Sequence, residues 1–203
     1  MKKGCLITLI VVAAVILIAG IGMYSYIKNT YNTMITLEEN VTQKWAQVEN
    51  VYQRRADLIP NLVEVVKGYA SHERETLEAV VNARSKVGGQ INVGPDMLNN
   101  PEAFAQFQQA QGALTSALQR LMVVVERYPD LKADQRFADL QVQLEGTENR
   151  ITVERGRFNE AVQGYNTTMR QFPTNIIAGF FGFEQKVYFK ADAEAEKVPE
   201  VKF

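Results

Sequence analysis

An uncharged apolar run near the start of the chain limits its architecture more than any other feature. The 23 residues from Cys5 to Ile27 contain no Lys, Arg, Asp or Glu. About 20 helical residues, at about 1.5 Å each, span the ~30 Å hydrocarbon core of a bilayer. Hydrocarbon offers no partner for backbone polar groups, so a spanning segment must be helical. We predict a transmembrane anchor over residues 1–27 that contacts the lipid bilayer through residues 5–27.

Two alternatives concern this anchor. The Gly20-Ile21-Gly22 stretch resembles a signal-peptide cleavage site, but apolar regions of signal peptides run about 7–15 residues and this run is longer. A retained anchor is therefore the favoured interpretation. Cys5 lies at the membrane boundary, where acylation is the alternative to an unmodified thiol.

The flanking charges indicate an orientation. Lys2 and Lys3 precede the apolar run, whereas Lys28 follows it and Glu38 and Glu39 come soon after. Cytoplasmic flanks carry the excess of Lys and Arg. The pattern predicts a single-pass membrane protein with a cytoplasmic N-terminus and an extracytoplasmic domain.

Apolar residues recur at steps of three and four through most of the chain after residue 28, which is typical of amphipathic helices. Breaks rich in Pro and Gly divide this part into four segments. Their approximate bounds are 28–57, 60–87, 101–128 and 132–172. Near-equal helices with short connections predict an all-α fold, an antiparallel up-and-down four-helix bundle over residues 28–175.

Pro60 lies where the first two segments meet, and two backbone conformations are compatible with it. Its ring clashes with the preceding helical turn and it lacks an N–H donor. A tight hairpin and a kink within one long helix are both compatible with this residue. We expect the hairpin, because a lone long helix with exposed apolar stripes is costly.

Residues 176–203 differ from the bundle. The apolar piece 176–183 is too short to span a bilayer, and we expect it either to cap the bundle or to contact the membrane surface. The charged stretch from Lys190 to Lys202 has the composition of a disordered tail.

The composition argues against most chemistries of a bundle core. One Cys and one His rule out a disulfide framework, a multi-Cys zinc site and a di-iron carboxylate site. Near-neutral charge, with 22 Lys+Arg against 23 Asp+Glu, argues against nucleic-acid binding. The sequence also lacks a Gly-rich phosphate loop. We expect no cofactor, no metal and no catalytic residues.

Candidate binding residues are Arg54, Arg55, Asp57, His72 and Glu73. The two arginines are suited to an anionic group such as a phosphate or a partner carboxylate, and interhelical salt bridges at a bundle end are the other interpretation. His72 beside Glu73 is either a proton-active pair or a structural histidine.

Several longer stretches together resemble the LemA family of bacterial membrane-anchored proteins. They are Trp45 to Val48, Arg54 to Glu64, Lys67 to Glu73, Tyr128 to Ala133, Phe137 to Gln141, Glu148 to Ile151, Arg157 to Asn159, Tyr165-Asn166 and Phe172 to Asn175. The resemblance implies a transmembrane helix followed by an up-and-down bundle, with a hairpin at Pro60. It brings no established enzyme activity, cofactor or catalytic residue, and an orientation with the bundle inside has also been discussed for the family.

The sequence therefore predicts a non-enzymatic, membrane-anchored helical scaffold or adaptor of the bacterial cell envelope. It would bind another protein or self-associate through a bundle surface near Arg54 and Arg55. The alternative is a lipid- or small-ligand-sensing domain whose segment 176–183 contacts head groups together with these two arginines.

Overall fold

The computed structural model describes residues 2–89 and 94–190 and is all-α over these residues. The α-helices are α1 (Lys2–Tyr69), α2 (Arg74–Gly89), α3 (Pro101–Val125), α4 (Pro129–Lys132), α5 (Gln135–Arg170) and α6 (Thr174–Phe181). A short 3-10 helix, Pro95–Asn99, precedes α3. The segment after α6, residues 183–190, contains no helix or strand, and its contacts with α5 show an extended course over residues 186–189.

Helix α1 contains both the predicted anchor and the first helix of the bundle. In the described part of the chain it is the one helix long and apolar enough to cross a membrane. Its large apolar side chains from Ile7 to Tyr26 are exposed, whereas Met34, Val41, Trp45 and Val48 are fully buried. A single element therefore passes from the predicted anchor into the protein core. The side chain of Cys5 lies outside what the structure describes.

The predicted up-and-down four-helix bundle is confirmed. Helices α1 and α3 run away from the anchor, and α2 and α5 run back toward it. Helix α2 covers only the far half of the bundle. The 3-10 helix continues its side of the core toward the anchor with buried Met97 and Leu98.

Two apolar clusters form the core. The cluster nearer the anchor is aromatic: the Trp45 ring lies 5.4 Å from Phe158 and 5.5 Å from Phe107, centroid to centroid. Such edge-to-face contacts add to the burial energy of large rings. The far cluster is aliphatic and includes Ile59 and Leu121. The apolar stripes seen in the sequence therefore form two packed layers along the bundle.

The prediction of a hairpin at Pro60 is wrong. Helix α1 continues through Pro60, and the turn to α2 lies between Tyr69 and Arg74, so the predicted bounds 28–57 and 60–87 do not hold. Pro60 has no N–H to donate to the carbonyl of Ala56, four residues earlier. Arg84 of α2 replaces that donor, with its Nε 2.8 Å from the Ala56 oxygen. Because the Pro60 ring is exposed, the helix accommodates it.

The extended segment after α6 runs along α5 toward the middle of the bundle. The side-chain amide of Asn166 accepts from Lys186 N at 3.0 Å and donates to Lys186 O at 2.8 Å. Asn159 makes the same pair of bonds with Phe189, at 2.9 and 3.1 Å. The step from Lys186 to Phe189 is three extended residues, and the step from Asn166 back to Asn159 is seven helical residues. Both steps advance about 10 Å, so the two contacts stay in register. Beyond Lys190, the predicted disordered tail lies outside the described residues.

Candidate functional site

Arg55 of α1 is buried at the boundary between the two core clusters. It is 2% exposed, with Tyr52 of the aromatic cluster one turn before it and Ile59 of the aliphatic cluster one turn after it. A charge removed from water is costly unless it is paired and hydrogen-bonded. Arg55 therefore requires polar partners from the neighbouring helices.

Those partners come from α3 and α5. The Arg55 Nη1 donates to Thr115 Oγ1 at 3.0 Å and to Glu148 Oε2 at 2.9 Å, and Nη2 donates to Gln111 Oε1. The guanidinium carbon also lies 5.2 Å from the centre of the Tyr52 ring. One side chain thereby joins three helices at a single level.

A polar residue interrupts the apolar stripe of each helix at this level. Gln111 falls between Phe107 and Leu114 on α3, and Thr147 falls between Leu144 and Ile151 on α5, next to the half-exposed Glu148. Two buried donors, Arg55 Nε and Gln111 Nε2, have no hydrogen-bond partner among the described residues. Buried polar groups are nearly always paired in native proteins, which makes this layer a candidate site.

A groove of about 600 Å³ opens above the layer between α3 and α5. Arg55 and Tyr52 form part of its floor. Its walls are mainly polar, with Gln108, Gln109, Ser116 and Gln119 from α3 and Glu148 and Arg155 from α5. Amide, hydroxyl and guanidinium groups can pair with the backbone of a polypeptide.

The groove begins where the described extended segment ends. Phe189 lines one end of it, and the Arg155 guanidinium lies 4.7 Å from the Phe189 ring centre. Arg155 Nη2 also donates to the carbonyl of Lys190 at 3.1 Å. Helix α5 therefore already holds an extended backbone with Asn and Arg side chains at the entrance to the groove.

The structure separates the residues that the sequence grouped as one candidate site. Arg55 lies in the layer, whereas the neighbouring Arg54 is exposed. Asp57 is exposed and accepts from Gln53 Nε2 at 2.8 Å. The expectation that the two arginines mark a bundle end is wrong, because α1 extends beyond Pro60 and leaves them in the middle of the bundle.

His72 and Glu73 lie in the turn after α1, at the end of the bundle far from the anchor. His72 is exposed. Glu73 Oε1 accepts from Arg127 Nη2 and from Tyr128 OH, each at 3.0 Å. The hydrogen bond to Glu73 raises the pKa of the Tyr128 hydroxyl. These contacts link the turn after α1 to the turn after α3.

Asp134 strengthens the same end of the bundle. Its Oδ1 caps α5 by accepting from Arg136 N and Phe137 N, at 2.7 and 3.2 Å. Its Oδ2 accepts from Tyr69 OH at 2.7 Å. The Tyr69 hydroxyl is the main reason why the pKa of Asp134 falls from its ordinary value of 3.8 to about 2.

The layer also contains residues that the sequence interpretation missed. Gln111, Thr115 and Glu148 complete it, and Asn159 and Asn166 hold the extended segment. A signal was present for Gln111, which stands where the spacing from Phe107 to Leu114 predicts an apolar side chain. No local pattern predicts that an arginine on another helix reaches it.

The chemistry of this groove is hydrogen bonding and charge pairing. Within the described residues, no group of three or more His, Cys, Asp or Glu side chains is placed to hold a metal ion. The fold and the groove define a class of protein: an all-α bundle on a long apolar helix that suggests a membrane anchor, with a polar groove supported by a buried arginine.

Within that class, the chain belongs to the LemA family, whose model matches residues 44–203. The resemblance seen in the sequence is confirmed, but the hairpin that it implied at Pro60 is not present in this chain.

Curated relatives include magnetosome proteins. The chain is 28% identical over 175 residues to magnetosome protein MamQ 2 of Paramagnetospirillum magneticum, covering 79% of this chain and 64% of the relative. It is also 28% identical over 175 residues to magnetosome protein MamQ of Magnetospirillum gryphiswaldense, covering 78% and 64%. The chain thus spans about 64% of the length of these relatives. Protein LemA of Metamycoplasma hominis is 24% identical over 183 residues, covering 90% of this chain and 78% of the relative.

Proposed function

We propose that this protein is a non-enzymatic, membrane-anchored scaffold of the bacterial cell envelope whose groove between α3 and α5 binds an extended segment of a partner protein. The groove is the observation that carries the proposal. Its walls offer amide and guanidinium groups, and the adjoining part of α5 already pairs such groups with extended backbone.

The buried arginine layer supports the same role. Arg55 draws α1, α3 and α5 together beneath the groove, so the groove floor is fixed before a partner arrives. A preformed site loses less conformational entropy on binding. A peptide carbonyl or carboxylate would supply the acceptors that Arg55 Nε and Gln111 Nε2 lack, after a small displacement of the floor.

Site-specific photo-crosslinking in native membranes tests this function. A photoreactive phenylalanine analogue is placed in the full chain at Gln108 or at Gln119, on the groove wall. The matched control places it at Val142, an exposed residue of α5 that does not line the groove. We expect both groove positions to capture the same stretch of one partner polypeptide, as mapped by mass spectrometry, and Val142 not to capture it.

Two outcomes would contradict the proposal. Adducts that are the same from Val142 as from Gln108 would show random neighbours. A crosslink from Gln108 to this chain's own residues 191–203 would show that the groove is filled in cis and is not a partner site.

The rival lipid-sensing role receives less support. It requires Arg54, Arg55 and the segment 176–183 to contact the same head groups. Tyr31 of α1 lies against Phe181, and Arg55 is 24 residues further along the same helix, about 36 Å away. If α1 crosses the bilayer, the membrane surface near Tyr31 lies far from Arg55, and this separation counts against a shared head-group site.

We also propose that the bundle is extracytoplasmic, because Lys2 and Lys3 precede the apolar run. A membrane-impermeant maleimide applied to intact cells tests this. In a Cys5→Ser background, a cysteine replacing exposed Val123 is expected to react in intact cells. Reaction only after the cells are opened would contradict this orientation.

A further inference from the structure

Helix α6 carries an apolar face that none of the described residues covers. Ile176 and Phe180, four residues apart on α6, are 63% and 84% exposed, and Phe172 in the turn just before α6 is 81% exposed. Residues four apart lie on the same side of a helix. Ala178, on the opposite side, is buried against the bundle. The exposed face belongs to the most apolar short helix of the described chain, and Thr174–Phe181 contains no charged residue.

The position of α6 indicates what covers this face. The Tyr31 ring of α1 lies 4.9 Å from the Phe181 ring and 5.7 Å from the Phe183 ring, centroid to centroid. Tyr31 comes only four residues after Ile27, where the apolar run ends. Four helical residues advance about 6 Å. Helix α6 therefore packs on α1 at the level where α1 leaves the hydrocarbon.

The chemistry of the face fits that level. Aromatic side chains are enriched at the membrane–water interface, and short apolar helix faces lie in the boundary between head groups and acyl chains. Charged residues flank the helix on either side, with Arg170 at the end of α5 and Glu184 after the Gly182 cap. Tyr24 and Tyr26 on α1 are exposed just below this level.

We propose that α6 lies in the surface of the same bilayer that α1 crosses, with Phe172, Ile176 and Phe180 inserted among the lipids. Two attachments then hold the bundle, α1 through the membrane and α6 on its surface. A single helix leaves the bundle free to rotate about its axis, whereas a second contact fixes which side of the bundle faces the membrane. This goes beyond a role as a scaffold, because it sets the direction in which the groove points.

Fluorescence in vesicles tests the insertion. The full chain, in a Cys5→Ser background, receives one cysteine in place of Phe180 and an environment-sensitive dye, and is reconstituted in phosphatidylcholine–phosphatidylglycerol vesicles. We expect blue-shifted emission and, with nitroxide groups on the upper acyl chain, quenching by about half or more. The control is the same dye at Val123, which is 71% exposed near the far end of α3 and should keep its aqueous emission.

A second variant separates insertion from mere tethering by α1. Replacing Phe172 and Ile176 with serine is expected to reduce quenching at position 180, while Val142→Ser on α5 leaves it unchanged. Aqueous, unquenched emission at position 180 would overturn the proposal. So would blue-shifted emission that persists in detergent and ignores the lipid nitroxides, because a second copy of the chain would then cover the face. Quenching unaffected by the two serines would also overturn it.

Discussion

Arg54 and Arg55 are neighbours in sequence with opposite environments, and this contrast makes a direct test of the buried layer. Arg55→Met keeps an apolar stem but removes the donors to Gln111, Thr115 and Glu148. Glu148 is 49% exposed and is solvated once Arg55 is removed, but Gln111 and Thr115 lose a buried partner, which costs about 2 kcal/mol. We expect urea unfolding to show a loss of this order in the free energy of unfolding.

Arg54→Met serves as the matched control, because Arg54 is exposed. Substitutions at such positions change stability by about 0.5 kcal/mol or less. Equal losses for the two variants would contradict the account of the layer. Arg55→Lys should recover little, because a compact ammonium cannot replace a planar guanidinium that reaches three partners.

Asp134 makes the stability of the fold depend on pH. Its pKa is about 2 in the folded protein and 3.8 ordinarily, mainly because Tyr69 OH donates to it. A carboxylate with a lowered folded pKa stabilises the fold fully above its unfolded pKa and loses this contribution as pH falls through the folded value.

The folded and ordinary pKa values of Asp134 bound the range from about pH 2 to about pH 4. Over this range we expect the free energy of unfolding to fall more steeply in the natural chain than in Asp134→Asn. Chemical unfolding at a series of pH values measures it. The control is Asp130→Asn, at an exposed aspartate of α4, which should retain the natural slope. Parallel profiles for the natural chain and Asp134→Asn would refute the role assigned to Tyr69 and the α5 cap.

The sequence carried a signal for which arginine is buried but none for its partners. Arg55 stands three residues after Tyr52 and four before Ile59, on the apolar side of α1, whereas the one-residue step to Arg54 rotates the position by about 100°. The burial of Arg55 depends on partners 56 to 93 residues away. Such tertiary pairing leaves no local periodicity.

Helix α1 shows how a proline can be accommodated by a distant side chain. Arg84 donates to the Ala56 carbonyl that Pro60 leaves without an N–H partner. In Pro60→Ala the restored N–H can make that bond. We therefore expect Arg84→Met to cost about 1 kcal/mol more in the natural chain than in the Pro60→Ala background.

A double-mutant cycle with unfolding free energies measures this coupling. The control is Arg74→Met, at an exposed arginine of α2, the helix that also carries Arg84. It should show no coupling to position 60. A coupling of zero between Arg84 and Pro60 would mean that the hydrogen bond is not what allows the helix to continue.

The helical stripes and the bundle were predictable because each stripe is a local pattern. Phe104, Phe107, Leu114 and Leu121, for example, repeat at helical spacing and are all buried. The position of the first turn was not predictable from Pro60 alone, because the compensating donor comes from the next helix. The extended segment was also missed, since Asn159 and Asn166 bind backbone atoms that carry no sequence signal.

In the whole molecule, the continuity of α1 determines where the groove lies. Arg55 is 28 residues beyond Ile27, which places the layer about 42 Å along the helix from the end of the apolar run. A hairpin at Pro60 would put Arg55 at the end of the bundle, without the helices that surround it in the structure. The proposed scaffold, and the proposed contact of α6 with lipid, both depend on this unbroken helix.

A distance measured across Pro60 shows whether α1 is one unbroken helix. Spin labels are attached at exposed Gln47 and Lys67, in the full Cys5→Ser chain in lipid nanodiscs, and read by double electron–electron resonance. Twenty residues of continuous helix separate these positions by about 30 Å. We expect one narrow distribution near that value. A distribution at about 15 Å or less, as two helices packed 8–10 Å apart in a hairpin would give, would contradict the account.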